Sequence, residues 1–455
     1  MTDGRSVPDM LKSLGDPRYA SMLVLGFASG LPLMMVFQKL SFWLRDVGID
    51  RATIGFMYWI TIAYTLKFLW SPVVDRVVIP VLGPRLGQRR SWMVAAIAGT
   101  AIGLLVIGFS NPGQALGVTL LGAFILAYSG ATLDIAIDAW RIESAGPDDQ
   151  GYMAAIYQLG YRFAIMFAGF GLGLAEFFPW YVTFSVMAAT MTIGGFLVLA
   201  MKEPERAARA VGPRTSFVKS VANAIIEPFG QLKDRLGVWI IAVAGVVALY
   251  RLPDFTMGVM ASPLYSDLGY SKAAVGAIQG GIGPWILIVG AFAGGFAVAR
   301  WGVVKALLIG APLTFLTTAA YAGLANLGAP DAADAIREAN GGQLVGVEPP
   351  PTIWLFVAIG ADNLAGGFVG TAFIAYLSSL TDPRNAATQY ACLSSLYAFF
   401  CKFAAGFSGA IADAIGYAGL FLLSASYAIP AMIFVWIVLA FGTAAAKGQV
   451  SFAKA

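Results

Sequence analysis

Twelve long apolar segments fill this 455-residue chain, and the charges well inside them fall on only seven of the twelve. The third, sixth, ninth and twelfth are bare away from their ends. A lone charge at mid-bilayer costs at least ~2.5–3.5 kcal/mol, so it persists only where it faces a partner or water. Bare helices therefore belong on the outside of a bundle, and charged ones inside it around a polar path. The segments run 19–43, 52–73, 92–110, 115–140, 151–175, 180–201, 238–262, 273–298, 303–325, 352–378, 387–411 and 418–441. Each approaches or exceeds the about 20 apolar residues that cross a hydrocarbon core. With 58% hydrophobic and only 12% charged residues, the composition excludes a soluble globule; soluble domains carry roughly 25% charge.

An even number of crossings puts both termini on one side. Lys and Arg then decide which side, because they concentrate on the cytoplasmic face. Twenty lie with the termini and four (Arg45, Arg51, Lys272, Arg337) lie opposite, so both ends are expected in the cytoplasm. The net charge of +4 is this topological bias and implies no nucleic-acid partner. Residues 1–18 are polar and mixed in charge, and read as a cytoplasmic tail rather than a cleaved leader.

Several chemistries are excluded outright. Without a single histidine there is no imidazole-ligated metal and no Ser-His-Asp chemistry, so any proton coupling must use carboxylates. Cys392 and Cys401 stand nine apart on one helix and cannot bridge. No nucleophile clusters with a base at either membrane face, so an enzyme is not expected. No Gly-x-x-x-x-Gly-Lys-Ser/Thr string is present. Energy would come from an ion gradient, with no cofactor.

The chain divides around one long cytoplasmic connection, 202–237, rich in Pro and charge. It separates a six-helix half (1–201) from a second (238–455). The turns opening the fifth and eleventh segments match, Gly146-Pro147-Asp148 and Asp382-Pro383-Arg384, which supports duplicated halves. Two six-helix halves with a three-plus-three pattern resemble the major facilitator architecture, an all-α membrane fold. The connection 74–91, an Asp followed by a basic cluster (Asp75, Arg76, Arg89, Arg90), is similar to that fold's cytoplasmic loop. Residues 326–351, with Pro349-Pro350-Pro351, form the longest external loop, which is expected to be mobile and is uninformative about chemistry.

The intramembrane charges are the candidate site. Cations Lys39, Lys67, Arg162, Arg251 and Lys402 outnumber anions Asp134, Asp254 and Asp362. A cavity focuses the field of its wall charges, so the excess favours an anionic substrate. Lys67, Arg162, Arg251, Lys402, Asn363 and Tyr161 are therefore candidate substrate contacts. Tyr58, Tyr64, Tyr157, Tyr250 and Tyr397 add faces on which sugar rings can stack. Lys39 lies toward the outer side, within reach of the surface by extension of its side chain. Arg251 and Asp254, three apart, can pair with each other. Asp134 has Asp138 one turn away; it is the first candidate for a proton-carrying site, or else the partner of Arg162, with Asp362 and Asp254 next. Asp75, Arg76, Arg89, Arg90, Asp138, Arg141 and Glu143 fit an ion network bracing a cytoplasmic gate.

Several strings together resemble one family, the AmpG-type muropeptide permeases of the major facilitator superfamily. They are Leu25-Gly26-Phe27-Ala28-Ser29-Gly30-Leu31-Pro32, Lys67-Phe68-Leu69-Trp70-Ser71-Pro72 with Asp75-Arg76, Asp134-Ile135-Ala136-Ile137-Asp138-Ala139-Trp140-Arg141, and Gly160-Tyr161-Arg162. The second half adds Asp362-Asn363, Gly366-Gly367, Gly370-Thr371-Ala372-Phe373 and Ala387-Thr388-Gln389. The family pattern has Glu where this chain has Asp362, and Lys39 matches no family signal. The resemblance implies an inner-membrane importer of N-acetylglucosaminyl-anhydromuramyl peptides, products of peptidoglycan turnover, driven by the proton gradient; a monomer is expected. It also implies roles for Lys67, Asp134, Asp138, Arg162, Asp254, Asp362 and Asn363. The alternative left open is another bulky anion, such as an acyl-CoA or a siderophore.

Overall fold

The computed structural model describes residues 16–144, 149–204, 230, 234–381, 386–444 and 446–447. The turns 146–148 and 382–384, the tail 1–15 and most of the connection 202–237 lie outside the described residues, as does the side chain of Cys392. Helices succeed one another with no strand among the described residues. They are α1 (Pro17–Asp46), α2 (Arg51–Leu69), α3 (Gln88–Phe109), α4 (Pro112–Ser144), α5 (Gln150–Phe177), α6 (Trp180–Ala200), α7 (Asp234–Asp267), α8 (Lys272–Trp301), α9 (Val303–Asn326), α10 (Thr352–Leu380), α11 (Ala386–Ala405) and α12 (Ser408–Phe441). All but α5 and α11 are long and apolar enough to cross a membrane, ten among the described residues. Gly416, at φ +72°, breaks α12 and opens the last passage. Backbone bonds from Gly406 to Lys402 and from Phe407 to Ala404 carry the preceding path on from α11.

Local chemistry sets the helix starts. Asp16 caps α1 by accepting from the Arg18 amide at 2.8 Å, with Pro17 at the first position. Asp50 caps α2 through the Thr53 amide at 2.7 Å, and Ser271 caps α8 through that of Ala274 at 3.2 Å. Interruptions follow from the sequence too. Pro32 lacks an amide donor, and α1 widens into a π turn at Met35–Lys39 just after it. Helix α2 tightens to 3₁₀ geometry at Tyr58–Ile62 and Lys67–Leu69, leaving helical angles at Leu66 and Trp70. Pro253 follows a break in α7 at Tyr250–Arg251.

The chain forms two compact units, residues 1–43 with 66–212 and residues 44–65 with 213–455. In the first, α1 crosses α5 so closely that a Cβ at Gly26 would overlap the Tyr157 carbonyl, and one at Gly160 would overlap that of Leu23. Only glycine permits that crossing. Helix α4 lies along α3, with α6 on α3's other side. In the second unit, α10 packs between α8 and α9. Its core holds Tyr250 stacked on Phe373 at 5.5 Å between centroids, with the Tyr250 hydroxyl donating to the Leu307 carbonyl at 3.0 Å.

Two expectations need correction. Lys39 does not extend to the surface: it sits in the π turn of α1 and is 1% exposed. The loop 326–351, expected to be mobile, is partly helical. Residues Pro330–Ala332 and Ala333–Ala339 are helical, and Asp331, Asp334 and Arg337 tie them into an ion cluster described below.

Candidate functional site

In the first unit, three helices bring a hydroxyl relay and a lysine to Asp134. The Ser29 hydroxyl of α1 donates to Asp134 Oδ1 at 2.6 Å. Tyr157 OH of α5 lies 2.5 Å from Ser29 Oγ, and since the serine proton is already given to the carboxylate, the phenol is the donor. Lys67, on the 3₁₀ turn of α2, places its Nζ 3.6 Å from an oxygen of Asp134 and 3.6 Å from one of Asp138. Those carboxylates are one helical turn apart on α4, so one ammonium meets both. The lysine side chain is 32% exposed, Asp134 17% and Asp138 51%. Asp138 also faces Arg141 at 3.6 Å. Nearby, the Trp70 indole donates to Thr132 at 3.1 Å, steadying the turn after Lys67.

Asp134 is thus paired with Lys67 rather than Arg162. The sequence left Arg162 as a partner because both are deep charges; contact between α2 and α4 is a tertiary fact that spacing does not encode. Arg162 makes no ion pair or hydrogen bond among the described residues, and Tyr161 precedes it on α5.

At the end of this unit carrying the 74–91 connection, Arg89 joins Asp75 and Glu143, three of the seven residues expected in a gate network, while Asp138 and Arg141 pair with each other. Arg89, 2% exposed, donates to Asp75 at 2.7 Å and to both oxygens of Glu143 at 2.6 and 2.9 Å. The sequence reading missed Glu203. Its carboxylate caps α3, accepting from the amides of Arg89 at 2.6 Å and Arg90 at 3.0 Å. The Arg90 guanidinium donates to the carbonyls of Val198 and Leu199 at the end of α6. Arg76 takes no part among the described residues, whereas Gln88 donates to the carbonyls of Val74 and Val77, each at 2.8 Å.

In the second unit, Arg251 and Asp254 pair at 2.9 Å, as their spacing suggested. Asp362 of α10 faces that pair electrostatically but makes no hydrogen bond or ion pair among the described residues. Asn363 donates to the Ile359 carbonyl at 2.8 Å and packs against Gly283 of α8. Lys402 is buried: its Nζ donates to the Thr61 carbonyl at 2.8 Å and lies over the Tyr64 ring at 5.7 Å. Thr61 is in a 3₁₀ turn of α2, where a carbonyl can turn outward to take the ammonium.

A cluster at the α1–α2 turn was not anticipated. Asp267, wholly buried at the end of α7, accepts from Arg45 at 2.7 and 2.8 Å, Arg337 at 2.8 Å and the Tyr417 hydroxyl at 2.8 Å. Arg45 also meets Asp334 at 2.7 Å. Arg51 pairs with Asp331 at 2.6 Å and Asp413 at 2.7 Å while stacking on Tyr417 at 4.9 Å. Tyr270, between α7 and α8, is buried alongside the end of α7, which pushes its phenol up to about 12. The sequence offered one signal: the few external basic residues are matched by acidic ones in the same turns.

Among the described residues no group of His, Cys, Asp and Glu is arranged to hold a metal. The assembled side chains provide ion pairs and proton acceptors within helices that cross a membrane, the equipment of a carrier.

Comparison with known proteins agrees. A profile for the Major Facilitator Superfamily matches residues 21–336. The anhydromuropeptide permease of Escherichia coli K12 is 30% identical over 426 residues, 93% of this chain and 80% of that protein. A Rickettsia conorii protein named as a transporter, AmpG 4, is 30% identical over 424 residues, covering 92% and 96%. Among solved structures, the nucleoside transporter NupG superposes with a TM-score of 0.64 at 14% identity, covering 93% of this chain and 99% of that one. The D-xylose-proton symporter gives 0.62 at 12%, covering 97% and 99%. These likenesses below 25% identity carry the fold, while the 30% relatives carry the family. This multi-pass membrane protein belongs to the major facilitator superfamily of transporters, within its AmpG-type muropeptide permease family.

Proposed function

We propose that the protein is a proton-coupled secondary transporter importing N-acetylglucosaminyl-anhydromuramyl peptides, released by peptidoglycan turnover, from periplasm to cytoplasm. It works by alternating access in the bacterial inner membrane, with both termini cytoplasmic. The observation that carries this reading is the similarity to the Escherichia coli anhydromuropeptide permease over nearly the whole chain. The chemistry supports it. Five intramembrane cations against three anions suit a peptide stem bearing several carboxylates. Half-buried carboxylates at Asp134, Asp254 and Asp362 supply proton acceptors in a chain without histidine.

The test is uptake of labelled anhydromuropeptide by cells lacking their own permease, with and without a protonophore. Uptake abolished by the protonophore is expected. Absence of uptake from well-expressed protein would discard this cargo and leave another bulky anion as the substrate to be found.

A further inference from the structure

Residues 44–65, the end of α1 and the start of α2, form one compact unit with 213–455, while the rest of both helices lies in the other unit. Departures from α-helical geometry flank this segment. The π turn Met35–Lys39 stands just before it, and Leu66, at φ −88° and ψ 5°, opens the 3₁₀ turn Lys67–Leu69 just after it. Such interruptions are where a helix bends. Between them an ion cluster fastens the segment. Arg45 and Arg51 are each held twice, Arg45 by Asp267 of α7 and by Asp334, Arg51 by Asp413 of α12 and by Asp331. Asp331 and Asp334 stand three apart on the helical stretch Pro330–Ala339 of the loop after α9, and Arg337 of the same stretch meets Asp267 and Asp334. Tyr417 ties the two arginine sites together, donating its hydroxyl to Asp267 at 2.8 Å and its amide to Asp331 at 3.1 Å. At the rim Lys272 meets Asp46 at 2.9 Å. Beneath the cluster, a Cβ at Gly409 would overlap the Arg51 carbonyl, and one at Gly55 would press on that of Gly406. Backbone lies on backbone there, and such a contact parts more readily than one where side chains interdigitate.

We propose that residues 44–65 are a detachable clasp, which the loop stretch Pro330–Ala339 grips through Arg45 and Arg51 and lets go when this end of the carrier opens. The released state is satisfied as well as the gripped one. Asp331, Asp334 and Asp413 are 49%, 52% and 39% exposed, so water can take the place of the departing arginines at little cost. Asp267 alone is wholly buried, and it keeps Arg337 and Tyr417, which do not belong to the segment. Two arrangements, each with its charges met, are what a two-state element requires. The loop thus acts as the jaw, and the irregular turns at Met35–Lys39 and Leu66–Leu69 as the hinges. In the topology proposed above this end is periplasmic, so gripping closes the carrier to the outside and release admits cargo there.

This inference rests on the alternating-access reading and not on the cargo, and its test adds no cargo. The full-length protein in nanodiscs, with Cys392 and Cys401 replaced by alanine, carries spin labels at Val47→Cys in the α1–α2 turn and Leu327→Cys at the end of α9, both exposed positions. Pulsed electron paramagnetic resonance reads the distance between the labels. One distance, that of the gripped state, should dominate in the otherwise unaltered protein. The pair Asp331→Asn with Asp334→Asn, and separately Arg51→Gln, should move most of the population to a second, longer distance. Size-exclusion profiles and melting curves establish that each variant is folded. Where Arg51→Gln does not fold, the half-exposed loop pair decides alone. Distance distributions in the folded variants that match the unaltered protein would overturn the clasp and leave the cluster as scaffolding. Protonophore-sensitive uptake, described above, tests the transport reading separately, so either can fail while the other stands.

Discussion

Arg45 and Asp267 lie 222 positions apart in the chain and meet as a fully buried ion pair at 2.7 Å. Asp267 also receives Arg337 and Tyr417, so its carboxylate holds two guanidinium groups out of water. Removing one partner of a buried pair leaves the other charge uncompensated, which costs about 3–5 kcal/mol. Asp267→Asn should therefore melt well below wild type in detergent. Asp413→Asn, removing a 39%-exposed carboxylate, should change the melting temperature far less.

The pair Arg251–Asp254 sits on one helix face, and a double-mutant cycle tells a structural pair from a substrate contact. Arg251→Met and Asp254→Asn should each lower stability, and the double variant should recover most of the loss. Uptake should stay absent in the recovered double variant, because an intramembrane cation and a carboxylate are both gone. Restored uptake would make the pair scaffolding alone.

Glu203 caps α3 through two amides. Glu203→Ala should cost about 1 kcal/mol, the usual worth of a cap, read as a lower melting temperature with the protein still monodisperse. Because Arg89 keeps Asp75 and Glu143, the loss should stay confined to the capping term.

The α1–α5 crossing predicts a sharp steric contrast. Gly26→Ala and Gly160→Ala would each press a methyl into a backbone carbonyl, and such overpacking costs about 1–3 kcal/mol or more. Both should reduce the yield of folded protein. Gly117→Ala is the control, since a methyl there meets nothing within 4 Å. Fluorescence size-exclusion of tagged variants measures all three.

Helix positions and the network at Arg89 were legible because they are written locally, in apolar length, glycine–proline turns and clustered charge. The Arg251–Asp254 pair was legible for the same reason, as its two residues share a helix face. What escaped were contacts between distant segments. Nothing local tells Asp134 that Lys67, rather than Arg162, is its neighbour. Arg45, Arg51 and Arg337 entered the sequence reading only as the few basic residues of the face opposite the termini, and their partners stand up to 362 positions away. The helix at Ala333–Ala339 was hidden by its short length and by the proline-rich stretch after it, which favours an irregular reading.

Asp134 is secured through one oxygen, and that arrangement bears on speed as well as affinity. Ser29 and Tyr157 keep the carboxyl group in place whichever protonation state it adopts. Its charge can change with scarcely any atom heavier than hydrogen shifting on α4. Little reorganisation then separates the two states of the site. In the transport cycle proposed above, a proton step at Asp134 would equilibrate many times, leaving the larger movements of helices to set the turnover rate.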